Sequence, residues 1–100
     1  MSVEKMNSQK IEAGLTEVLG WELKNGKLHR QLRFKNFVQA WGFMAQVAIL
    51  AERMNHHPEW SNVYSQVTID LTTHEVGGIS QRDFDLAKQI NGVLAGMNVS

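Results

Sequence analysis

The sequence predicts an α+β domain of two layers, a four-stranded antiparallel sheet with helices packed on one face. An Asn25-Gly26 pair lies between two alternating apolar segments, the strongest short signal for a β-hairpin. Val63, Val67, Ile69 and Leu71 alternate with Thr68, Asp70 and Thr72, which marks a second pair of strands. Segments with helical spacing precede, separate and follow these hairpins, so the expected order is α-β-β-α-β-β-α. One hundred residues make a single domain over 1–100. A chain of that length buries roughly two thirds of its unfolded surface and needs no covalent staple.

Residues 1–7 read as a flexible polar lead-in. Ser8 is then placed to cap a helix with Ile11, Leu15, Val18 and Leu19 on one side and Gly20 as its stop. In "WELKNGKLHRQLRF" the Asn25-Gly26 turn sets Leu23 opposite Leu28 and Trp21 opposite Arg30, where the guanidinium can lie on the indole. Leu32 and Phe34 extend the apolar side, and His29, Gln31 and Arg33 point away. Asn36 is the expected N-cap of a helix reaching about Met54. One stripe of that helix is Phe37, Trp41, Met44, Ala45, Ala48 and Ala51, and a second is Phe43, Val47 and Leu50. A helix apolar on most of its circumference needs cover on two sides. The second stripe is therefore expected to meet another subunit, as a homo-oligomer. Pro58 ends the helical region, and the later strands turn near Ser65-Gln66. "HEVGGIS" reads as a loop, after which Ser80 caps the last helix with Asp83 at the capping-box position. Phe84, Ala87, Ile90, Leu94 and Met97 form its buried side.

Composition narrows the function. Ten Lys and Arg balance ten Asp and Glu, without the basic footprint of a direct nucleic-acid binder. The apolar stretch from Phe37 to Ala51 is interrupted by Gln39 and Gln46 and is too short to span a bilayer. The N-terminus has no apolar run that would serve as a secretory signal, and cysteine is absent. These features lead to the expectation of a cytoplasmic protein with no membrane partner.

Three of the four histidines cluster in sequence between the end of the second helix and the loop before the third. Histidine changes charge near neutrality, so His56, His57 and His74 read as proton-transfer groups. Glu52 precedes His56 by four residues and shares its face if the helix continues that far. Simpler roles exist for each: a helix-end dipole partner for His56, a strand-end polar residue for His74, a cap for Asp83, core for Trp60 and Tyr64. A zinc site built from His56, His74 and Glu52 or Asp83 is the sharper rival, but no HExxH spacing and no cysteine supports it. No Gly-rich phosphate loop precedes a helix.

The phrase "NHHPEWSNVYSQVTIDLTTHEVGGIS", with Glu52 before it and Asp83 after it, resembles the pterin-4a-carbinolamine dehydratases. The likeness extends over nearly the whole chain, from the Asn-Gly hairpin to the last helix. Many members carry Asp before the double histidine, where this chain has Asn55. The resemblance implies a lyase that removes water from 4a-hydroxytetrahydropterin to give quinonoid dihydropterin, recycling the tetrahydrobiopterin used by aromatic amino acid hydroxylases. The pterin is then the substrate, and no metal or further cofactor is required. By the same resemblance, His57 and His74 are the leading acid/base pair, with His56 assisting and holding the pterin. Asn55, Thr72, Thr73 and Glu75 line the site, Trp60 walls it, Glu52 contributes a carboxylate, and Asp83 orients a histidine. The family also implies a dimer or tetramer. A second class of function is a protein-interaction module, since animal members partner a homeodomain transcription factor through the apolar helix. A third is a paralogue serving molybdopterin metabolism.

Overall fold

The computed structural model describes residues 3–97. Helix α1 spans Ser8–Leu15, strands β1 and β2 Glu22–Lys24 and Lys27–Arg33, and helix α2 Phe37–Met54. Strands β3 and β4 follow at Glu59–Val63 and Gln66–Leu71, then helix α3 at Gln81–Met97. The sheet is antiparallel throughout, in the order β1-β2-β4-β3. The expected class and element order are those observed.

Local chemistry explains the boundaries and moves several of them. The cap of α1 is Asn7, whose side chain accepts the Lys10 N–H at 2.9 Å, so Ser8 is the first helical residue instead of the cap. The helix ends at Leu15, well before Gly20, as the Thr16 hydroxyl bonds back to the Ala13 carbonyl. Val18 is consequently buried while Leu19 faces solvent, off the side expected for it. Residues 1 and 2 of the expected lead-in lie outside the described residues. At its other end the Met6 N–H donates to the Ile79 carbonyl at 2.8 Å. α1 packs directly on α3: a Cβ on Gly14 would come within 2.7 Å of the Phe84 ring.

Asn25 and Gly26 both take positive φ, 52° and 75°, and pair Leu23 with Leu28 as the hairpin signal requires. Trp21 falls just outside the ladder, and its expected stacking with Arg30 is replaced by a shared partner. Trp21 Nε1 and Arg30 Nη1 both donate to Asn91 Oδ1 on α3, at 2.9 and 2.6 Å. The second hairpin turns at Tyr64-Ser65, one residue earlier than expected, with Tyr64 at φ 52°.

The main correction concerns α2. Its N-cap is Asn36, as predicted, accepting the Gln39 N–H at 2.8 Å. Yet the side that meets this chain's own sheet is Ala40, Phe43, Val47 and Ala51. Phe43 and Val47, assigned to a partner from sequence, are sealed in the core, and Trp41, assigned to the core, is 58% exposed. Ala51 keeps the side expected for it, and the exchange of Phe43 and Val47 with Trp41 arises because periodicity shows that two stripes exist and says nothing about which one meets the sheet. Phe43 lies against Phe34 with ring centroids 4.9 Å apart. Leu28, Val67, Ile69 and Leu71 form the floor of this core, and Phe84, Leu86, Ala87 and Ile90 close it from α3.

Candidate functional site

The end of α2 positions the histidines. Asn55 is left-handed at φ 53°, its N–H bonds to the Glu52 carbonyl, and the His56 N–H reaches back to that of Ala51. This is the Schellman pattern, and it stops the helix before the histidines. The i,i+4 pairing of Glu52 with His56 therefore does not form. Instead Glu52 Oε1 lies 2.8 Å from His57 Nε2, at the exposed rim.

His56, turned inward by the same motif, is 7% exposed and its Nε2 lies 2.6 Å from Oδ1 of the fully buried Asp83. Asp83 is held from the other side by the Thr73 hydroxyl at 2.8 Å and the Ser80 N–H at 2.9 Å. Asp83 thus forms its half of the capping box while Ser80 Oγ caps the Arg82 N–H, and the same carboxylate reaches a histidine 27 residues away.

The third imidazole comes from the chain leaving β4. His74 opens a single 3-10 turn, His74–Val76, stabilised by a bridge between Thr73 and Gly78. It is thus placed in a short helical turn beyond the strand. Its Nε2 lies 3.0 Å from Glu59 Oε2. Glu59 is bonded in turn by the Lys27 ammonium. That bond chiefly, with His74 adding, holds the Glu59 carboxyl below the usual glutamate range, and it raises the Lys27 ammonium. Glu59 and Lys27 escaped the sequence reading because they meet across the outer face of the sheet. The register pairing Glu59 with Asp70, and Asp70 with His29, is needed to see it.

Asn55, His56 and His57 from the α2 end and Thr72, Thr73, His74 and Glu75 from the β4 exit line one cleft of about 210 Å³. Glu75 is bonded by Arg82 at 3.1 Å. Asp83 and Glu52 sit behind histidines. Trp60, expected as a wall, is not among the lining residues; it pairs with Ile69 and packs against the core. Each of the three imidazoles has a different carboxylate. Among the described residues no group of three or more His, Asp or Glu side chains is placed to hold a metal ion, and no helix is long and apolar enough to cross a membrane. A larger groove of about 550 Å³ lies between the N-terminal segment and the start of α3, lined by Lys10, Arg82 and Asp85 and lacking histidine.

Residues 4–93 match the family model described as pterin 4 alpha carbinolamine dehydratase. A relative from Prochlorococcus marinus (strain MIT 9303) is 53% identical over 91 residues, covering 91% of this chain and 95% of its own. One from Solibacter usitatus is 50% identical over 92 residues, covering 92% and 97%. Both carry the name "Putative pterin-4-alpha-carbinolamine dehydratase". The crystal structure of a transcriptional coactivator/pterin dehydratase from Brucella melitensis superposes with a TM-score of 0.86 at 35% identity, covering 89% of this chain and 97% of that one. With the same three-helix, four-strand architecture and a family match over nearly its whole length, this chain belongs to the pterin-4a-carbinolamine dehydratase family.

Proposed function

We propose that this protein dehydrates 4a-hydroxytetrahydropterin to quinonoid dihydropterin, in the cytoplasm, in support of aromatic amino acid hydroxylation. The observation that carries this reading is the convergence of three imidazoles, each with its own carboxylate, on one cleft. In the reaction the C4a–O bond breaks and the oxygen leaves as water with a proton from an acid. The N5–H electrons form the C4a=N5 bond, and the N5 proton passes to a base. His57 and His74 are the acid/base pair, exposed at the rim where protons exchange with solvent. His56, immobilised by Asp83, holds the pterin and assists. Asn55, Thr72 and Glu75 meet the ring edge.

In stopped-flow absorbance on freshly generated 4a-hydroxytetrahydropterin, the protein should accelerate dehydration. His57→Ala and His74→Ala should each lower that rate by about tenfold or more, with the fold retained. Near-normal turnover in both variants would remove the acid/base assignment.

The exposed stripe of α2 supports a homo-oligomer. Phe37, Val38, Trp41 and Ile49 are 48%, 77%, 58% and 66% exposed on one helix, and contiguous apolar surface of this kind marks association sites. A second copy presenting the same stripe buries it. Size-exclusion chromatography with light scattering should give a multimer for the native chain and a folded monomer for Trp41→Lys/Ile49→Lys. An unchanged multimer in that variant would place the interface elsewhere.

A further inference from the structure

The hydrogen bonds behind His56 have a direction that proton counting fixes. Thr73 has one hydroxyl proton, and it goes to Asp83 Oδ2 at 2.8 Å. In the 2.7 Å contact between Thr73 Oγ1 and Ser80 Oγ, Ser80 must therefore be the donor. Ser80 Oγ accepts in its turn from the Arg82 N–H at 3.2 Å. The chain runs one way: Arg82 N–H to Ser80, Ser80 to Thr73, Thr73 to Asp83. Oδ2 also receives the Ser80 N–H, which leaves Oδ1 for His56. A carboxylate can only accept, so the proton between Asp83 and His56 sits on Nε2.

The consequence appears on the far side of the ring. Among the described residues, His56 Nδ1 has no protein partner and no side-chain polar atom sealed from solvent lacks one. Nδ1 is thus not sealed from solvent, on a ring that lines the cleft. We propose that Ser80 and Thr73 are positioning residues that act through Asp83 to lock His56 as its Nε2–H tautomer, so that Nδ1 holds the pterin as a hydrogen-bond acceptor. Thr73, 1% exposed, serves the site by its hydroxyl on Asp83. This rests on the dehydratase reading for the identity of the ligand, though the tautomer does not. A unidirectional chain is cooperative, each bond polarising the next, and removing a link weakens those downstream.

The test is two-bond ¹H–¹⁵N correlation on ¹⁵N-histidine-labelled protein without substrate, at alkaline pH where free imidazole is neutral, combined with turnover. The native protein should show His56 protonated at Nε2 alone. Thr73→Val, close in shape but without the donor, should move its resonances toward a tautomer mixture and lower kcat about tenfold or more. Thr73→Ser should restore both. Ser80→Ala, which keeps the Ser80 N–H on Asp83, should give a smaller change in the same direction. A native His56 protonated at Nδ1, or a Thr73→Val spectrum identical to the native one, overturns the proposal. So does an altered spectrum with unchanged kcat. A native protein inactive on the carbinolamine but with the expected His56 spectrum would count against the dehydratase reading alone.

Discussion

Asp83→Asn is expected to lower dehydration by about a hundredfold or more while the protein remains folded. The substitution keeps the shape and reverses one polarity. Two donors, the Ser80 N–H and the Thr73 hydroxyl, converge on Oδ2 and hold the amide oxygen there. The amide nitrogen is then left facing His56 Nε2, where Oδ1 stood at 2.6 Å. An amide N–H only donates, so the ring must accept at Nε2 and carry its proton on Nδ1. The cleft then meets a donor where the pterin needs an acceptor, the wrong-tautomer effect known from other histidine–aspartate pairs. Steady-state turnover with circular dichroism checks the fold and the rate together. Native-like turnover would mean that His56 does not act through Nδ1. Asp83→Ala is less informative, since it strips three donors of their acceptor at once and each orphaned buried group costs about 1–3 kcal/mol.

The largest stability effect is expected at Phe43. Phe43→Ala should destabilise the protein by about 3–5 kcal/mol, a large share of the roughly 5–15 kcal/mol typical of a domain. Phe43 is fully buried between α2 and the sheet and lies against Phe34 with the rings tilted by 35°. Truncation removes that contact and leaves a void that Val47 and Ile69, themselves fully buried, have little freedom to fill. Urea unfolding at fixed protein concentration should show a lowered midpoint with an unchanged slope. A loss below about 1 kcal/mol would mean that the sequence-based assignment of this face to a partner was right after all.

That exchange of faces on α2 shows where sequence reasoning runs out. Two apolar stripes were legible, because side-chain spacing around a helix is local geometry. Their destinations were not, because they depend on the rotation of α2 over a sheet built from residues far away in the chain. Glu52 behaved similarly. Its partner was misjudged by one residue, since a single left-handed residue, Asn55, redirects everything after it. Trp60 was placed at the cleft by resemblance and turns to the core because its register partner is Ile69.

The sequence by itself determined the hairpin at Asn25-Gly26, the cap at Asn36, the cap made by Ser80 and Asp83, the order of elements and the cluster of imidazoles. Each of these is decided within a few residues by allowed backbone angles, local hydrogen bonds or side-chain periodicity. Only the tertiary structure decided which carboxylate serves which histidine: Asp83 for His56, Glu52 for His57 and Glu59 for His74. A hydrogen bond depends on distances of tenths of an ångström between segments up to 27 residues apart, and only the packed sheet and helices fix them.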